Sequence, residues 1–356
     1  MKAILEKHFF ELLGNEELYK RLNQSYDETD ALAGIEYYKE LDESFGHKYP
    51  EERYQDFYQS LISQNKHSDL ENLLAEVSER AQLEHQLTVQ SDILVKLFPS
   101  GSLNAQIRAY REGYLILINE CIRELFFDLY GVLMRYRRFQ DNILVDEQKE
   151  TYEREEFLDR WTNILSSYVM EGTYSSNFHD YVIAGNHNSL FQGFVTEIET
   201  FVIAHEYAHA LLKHVKPDAP QMFSYLSPIG RIEVDQKSWD QEHEADVLGI
   251  KILLEQRQTV FNMLSITSAI TFFLVDDILT QVNGILSGHN RLYPILTDHP
   301  PAKDRMETIL THTKGAKLLE EKYYKIIHTV QAICRDSQEE MVQLTVQKIM
   351  AAYQQA

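Results

Sequence analysis

The run Ala204-His205-Glu206-Tyr207-Ala208-His209 holds residue types whose spacing can do chemistry. Two histidines four apart share one helical face, one turn from each other, so both imidazoles can reach a single ion. That arrangement suits a tetrahedral divalent metal, zinc above all. Glu206 directly follows the first histidine, so its carboxylate can approach a metal-activated water without ligating, the place of a general base. The flanking residues Phe201, Val202, Ile203, Ala204, Ala208, Ala210, Leu211 and Leu212 are apolar and predict a buried helix. Two imidazoles and a carboxylate in such a helix need partners to offset lost hydration, and a metal supplies them.

A third ligand has to come from elsewhere in the chain. The segment Trp239-Asp240-Gln241-Glu242-His243-Glu244-Ala245-Asp246 offers Glu242, with Asp246 four residues on and on the same helical face. In that arrangement Glu242 binds the metal and Asp246 accepts the free ring N–H of a ligating histidine, fixing its tautomer and orientation. His243 and Glu244 are rival ligands, but only Glu242 leaves Asp246 correctly placed. A further element, Asp298-His299-Pro300-Pro301-Ala302-Lys303-Asp304-Arg305, reads as a helix start after a Pro-Pro pair.

Together these three elements resemble the gluzincin family that contains the CAAX prenyl proteases, the heat-shock membrane protease and the Oma-type quality-control proteases. That pattern runs HExxH, then a Glu…Ala-Asp ligand helix, then HPPxxxR, and it is met by 205–209, 242–246 and 299–305. His214, five after His209, matches a further family feature. The resemblance implies a zincin-like metallopeptidase core, one Zn2+ per chain and a protein or peptide substrate. It also implies that His299 stabilises the oxyanion of the tetrahedral intermediate and that Arg305 hydrogen-bonds Glu242. Asn104-Ala105, followed by Gly113 and Tyr114-Leu115-Ile116-Leu117-Ile118, resembles the family's substrate-binding strand, which pairs with an extended peptide. The likeness covers roughly residues 100–312, and the long gap from Asn104 to His205 implies an insertion over about 135–193.

The elements that must position these residues are mostly helical. An amphipathic helix is expected from Phe194 to His214, loop over 215–237, and helices from about Trp239 to the end. The uncharged stretch Gln258–Val275 contains Asn262, Ser265, Thr267, Ser268 and Thr271, so it reads as a buried core helix rather than a membrane span. Tyr114–Ile118 is short, apolar and partly β-branched, which suits a strand. Residues 135–160 are dense in charge and read as an exposed insertion containing helix. Residues 1–98 read as helical throughout, with a boundary at Pro99-Ser100-Gly101. The expected fold is therefore mainly α with a small β-sheet (α+β): a helical N-terminal region over 1–98 and a catalytic domain over 99–356.

Composition narrows the partners. A formal net charge of -21 opposes nucleic-acid binding, which needs a basic face. Cys121 and Cys334 make no disulfide framework and read as buried free thiols. Glu6, Lys7 and His8 interrupt the apolar run that a secretion signal needs, so a cytoplasmic location is expected. The expected activity is metal-dependent peptide-bond hydrolysis with Glu206 as base. The alternatives are a catalytically silent zinc-bound regulatory or binding protein, and a phage-exclusion or toxin-type protease kept latent by the N-terminal region and the insertion. The N-terminal region is also the candidate site for a regulatory partner.

Overall fold

A computed structural model describes residues 2–23, 68–99, 103, 105–136, 153–171, 187–216, 236–254, 260–288, 300–315 and 321–355, with positions 39, 50–52, 54, 55 and 59 besides. In chain order the elements are α1 (Lys2–Leu13), α2 (Glu16–Asn23), α3 (Ser68–His85), β1 (Asp92–Phe98), β2 (Ala105–Tyr110), β3 (Gly113–Asn119) and α4 (Ile122–Arg135). They continue as α5 (Arg154–Glu171), α6 (His187–Leu211), α7 (Gln236–Leu253), α8 (Val260–Leu286), α9 (Ala302–Gly315) and α10 (Glu321–Gln355). The fold is mainly α with one small mixed sheet, as expected.

The sheet runs in the order β1-β3-β2, with β1 parallel and β2 antiparallel to β3. Its side chains alternate between two apolar layers, as the two-residue strand period requires. Leu94, Phe98, Leu115 and Leu117 meet α1 and α2 through Leu5, Phe9 and Leu22. Val95, Ile116 and Ile118 face the main helical core. Burial on both faces explains why Tyr114–Ile118 reads as an unbroken apolar run. Gly113 opens β3 at φ +154, and a Cβ there would lie 2.1 Å from the Asp92 carbonyl oxygen, so only glycine lets β1 and β3 start side by side.

The sheet corrects two sequence expectations. Residues 92–98 form β1, not helix, so residues 1–98 are not helical throughout. Ile-Leu-Val-Lys-Leu-Phe is apolar on both faces, and periodicity cannot separate such a strand from a buried helix. The sheet also runs across Pro99, the expected boundary, because β1 pairs with β3 along its whole length.

The charge-dense stretch 135–160 is described only at its ends, and the helix expected in it is present as the start of α5. Phe157, Leu158, Trp161, Ile164, Leu165 and Tyr168 are buried, and α5 packs on α4 and α10. Phe157 and Leu158 of that stretch are thus core rather than exposed, while Arg154, Glu155, Glu156 and Asp159 beside them stay on the outer face of the helix. Residues 137–152 and 172–186 of the expected insertion lie outside the described residues.

The centre of the core is α6, which touches α3, α4, α7, α8, β2 and β3. It is longer than expected at its start, and from Phe194 to Ala210 it is buried nearly all round. The apolar helix α8 is long enough to cross a membrane, yet 83% of its most apolar stretch is buried, against α6, α9 and α10 among others. Two of its hydroxyls bond one turn back, Thr267 donating to the Met263 carbonyl and Thr271 to that of Thr267, and two reach across to α6, Ser268 to the Phe194 carbonyl and Ser265 to Glu197. The Cys121 side chain is buried, as expected; that of Cys334 lies outside the described residues.

Candidate metal centre

Three helices build the site. The two histidines come from α6, where Phe201, Ile203, Ala204, Tyr207 and Ala208 bury the surrounding turns. Tyr207 anchors the back of this helix, its hydroxyl 3.2 Å from Ser78 Oγ on α3. The carboxylates come from α7, which approaches α6 closely because residue 249 is glycine. A Cβ at Gly249 would lie 3.0 Å from the backbone nitrogen of His205 and 3.1 Å from its Cα. Gly249 thus sets the height at which Glu242 and Asp246 face the histidines. The arginine comes from α9, whose first turn closes as the Asp304 and Arg305 N–H groups donate to the Pro301 carbonyl.

His205, His209 and Glu242 form a buried group able to hold a metal ion. The two Nε2 atoms are 3.1 Å apart, His205 Nε2 lies 3.3 Å from Glu242 Oε2, and His209 Nε2 lies 3.2 Å from Glu242 Oε1. Donors about 2.0–2.1 Å from a tetrahedral ion are separated from one another by about 3.3 Å. The two imidazole nitrogens have about that spacing, and each faces a different oxygen of Glu242; with one oxygen taken, the three donor atoms lie within 4.8 Å of one another, close enough to share one ion.

The second carboxylate is fully buried. His205 Nδ1 lies 2.9 Å from Asp246 Oδ1, the contact expected from the spacing of Glu242 and Asp246. Arg305 then grips Asp246 through two bonds, Nε donating to Oδ2 at 2.7 Å and Nη2 to Oδ1 at 2.6 Å. Its Nη2 lies 3.4 Å from Glu242 Oε2, so the arginine's main partner is Asp246 and not Glu242, as the resemblance implied. The guanidinium also rests 4.5 Å above the Phe273 ring, which covers the cation with an aromatic face.

Electrostatics follow from this packing. Burial works against a charged His205, but hydrogen bonds and charges from Asp246 and Glu242 outweigh it and push its pKa up to about 10. Burial likewise tends to raise Asp246, and the Arg305 charge and hydrogen bonds reverse it, so its carboxyl stays below the usual range. Arg305 moves further up for the converse reason, held by Asp246 against desolvation. The pocket stabilises positive charge.

The remaining sequence candidates fall in different places. Glu206 is buried on α6 beside His205 and is not one of the three donors. His243 and Glu244, the rival ligands, point elsewhere: His243 Nδ1 meets Thr308 Oγ1 at 3.2 Å, and Glu244 Oε2 meets His214 Nε2 at 3.1 Å. His299 and Asn104 lie outside the described residues. Tyr114–Ile118 is the middle strand, paired on both sides, so a peptide cannot add to it. An added strand would need the outer edge of β1 or β2. A cavity of about 250 Å3 beside Tyr207 lies among Leu74, Ser78 and Ile93 and holds none of the donors.

Sequence reasoning missed the role of Gly249 and the contact between His214 and Glu244. Gly249 follows Asp246 by three residues, so a small residue on the carboxylate-bearing face was visible as a signal of close helix approach.

The fold and site define a helical protein with a three-stranded mixed sheet and a buried His-His-Glu group that can hold a metal. Compared with known proteins, the chain matches no family model, no curated protein and no solved structure.

Proposed function

We propose that this chain is a zinc-dependent endopeptidase with Glu206 as general base. The observation that carries the reading is the buried His205–His209–Glu242 group, with a fourth side chain, the acidic Glu206, next to the first histidine on the same helix. A purely structural zinc takes four protein ligands and needs no adjacent base, whereas three donors leave a position for chemistry. The likeness of 205–209, 242–246 and 299–305 to the gluzincin pattern supports the same reading.

Two imidazoles and one carboxylate are a donor set that zinc favours, and the ion bound there would supply the Lewis acidity that activates water near neutral pH. Glu206 takes a proton as water attacks the peptide carbonyl and returns it to the leaving amine. Asp246 holds the His205 ring in the tautomer that turns Nε2 inward. Arg305 keeps Asp246 ionised for that task. His299 shares the oxyanion charge, by the family likeness. An extended substrate would need an edge of the sheet, since β3 is paired on both sides.

Purified Glu206→Gln tests the reading. It retains one zinc per chain by metal analysis and loses cleavage of an unfolded protein substrate by at least about a hundredfold, the scale of general acid–base catalysis. Cleavage equal to wild type by Glu206→Gln defeats the proposed mechanism. Equal inactivity of wild type and variant, with zinc bound in both, favours the silent zinc-bound regulator instead.

A further inference from the structure

Among the described residues, no carboxylate meets His209 Nδ1 as Asp246 meets His205 Nδ1. Its Nδ1 instead lies 2.9 Å from Nδ1 of His214, whose Nε2 lies 3.1 Å from Glu244 Oε2. The hydrogens on this chain follow from direction. Nε2 of His209 faces the other donors, so its proton sits on Nδ1 and is donated to His214 Nδ1. The His214 proton then sits on Nε2 and is donated to Glu244. Every nitrogen in the chain has one role, and none competes with another.

The backbone puts His214 there at a conformational cost. Helix α6 ends in a Schellman turn: the His214 N–H donates to the His209 carbonyl at 3.0 Å, and the Lys213 N–H to that of Ala210 at 3.2 Å. Such a turn needs a left-handed residue, usually glycine, and here the residue is Lys213 at φ 58. The turn folds residue 214 back onto residue 209, so the same two residues meet through backbone and side chain. Strain of this kind outside glycine marks a place where position matters.

We infer that His214, fixed by the turn at Lys213 and by Glu244, is the positioning residue that orients His209 for the metal, in the role that Asp246 fills for His205. This rests on the metal-centre reading above, and two separate readouts distinguish them. Zinc affinity is measured by chelator competition, and the cobalt-substituted protein is examined by visible absorption, for wild type, His214→Ala, His214→Asn and Glu244→Ala. Loss of a group that orients a metal ligand typically weakens metal binding about 10- to 100-fold. His214→Ala shows that loss together with a changed cobalt spectrum. His214→Asn, whose amide oxygen can accept from His209 Nδ1, restores affinity to within about threefold and restores the spectrum. Glu244 is 64% exposed, so its removal leaves folding intact and lowers affinity about 3- to 10-fold, below the loss at His214. Wild-type affinity and an unchanged spectrum in both His214→Ala and Glu244→Ala overturn the inference while leaving the metal centre standing. A wild type that binds neither zinc nor cobalt removes the metal centre itself, and the inference with it.

Discussion

The two imidazoles of the centre are braced from outside by opposite means. His205 leans on Asp246, which is 0% exposed and clamped by Arg305, itself buried under Phe273. His209 leans on His214, which ends at an exposed carboxylate on the protein surface. The first brace is an ion pair in a low-dielectric interior, where it matters to folding as well as to the metal. The second is a neutral relay that touches water, where charge is screened and little folding energy is at stake. The difference teaches that one ligand is set by the core and the other by a helix end. Perturbing the two sides should therefore separate stability from metal affinity.

The largest expected effect is on the buried side. Asp246→Ala leaves the Arg305 guanidinium buried without its main partner, and breaking a buried pair from one side costs about 3–5 kcal/mol. Urea unfolding of the metal-free variant measures it. Arg305→Met added to Asp246→Ala recovers part of that loss, because removing both charges is cheaper than stranding one. A loss under about 1 kcal/mol in the single variant would erase the contrast between the two braces.

Metal removal comes next. Zinc held at about a hundred times its dissociation constant adds about 2.7 kcal/mol to the stability of a protein that binds it only when folded. Stripping it with a chelator lowers the thermal midpoint, and re-adding zinc restores it. In Glu242→Ala the chelator changes nothing, since one of the three donors is gone. A chelator shift that persists in Glu242→Ala places the stabilising ion elsewhere.

The ease with which each brace could be read from the sequence follows the same division. His205, His209, Glu242 and Asp246 sit at helical spacings of four, and two such pairs on apolar or acidic helices are visible in one dimension. Arg305 was in view, but its main partner was not, because 59 residues separate it from Asp246 and only tertiary packing decides between Asp246 and Glu242. His214 was noticed as a family feature without a role, since its position depends on a left-handed Lys213 that no propensity favours. The fold class was legible from helical periodicity, and so was α8 as a core helix. The sheet was half legible. Tyr114–Ile118 announced a strand, yet its central position could not be known before β1 was recognised on the far side of Pro99. A helix was legible in the charge-dense stretch, but its charges hid the burial of Phe157 and Leu158 on the other face of α5.

Gly249→Ala probes what both braces share, the distance between α6 and α7. The new methyl would press on the backbone of His205 at about 3 Å, where nothing flexible can move aside. Overpacking of this kind costs about 1–3 kcal/mol. Widening the gap also moves Glu242 and Asp246 away from the histidines, so zinc affinity falls in the same variant. A stable Gly249→Ala protein with wild-type affinity would mean that the helices tolerate separation and that the donor triangle adjusts.

The smallest expected effect is at the outer end of the exposed brace. Glu244→Gln keeps an oxygen that can accept from His214 Nε2 and removes only the charge. Because Glu244 is 64% exposed, unfolding stability stays within about 0.5 kcal/mol of wild type. Zinc affinity stays within about threefold, short of the loss expected in Glu244→Ala, since what the relay transmits is geometry. Chelator competition at low and high salt checks this. Screening weakens an exposed charge and leaves a hydrogen-bond geometry in place. If Glu244→Gln falls as far as Glu244→Ala, and the difference from wild type fades with salt, the exposed side acts through the field of its carboxylate. The two braces would then both be electrostatic, differing only in depth.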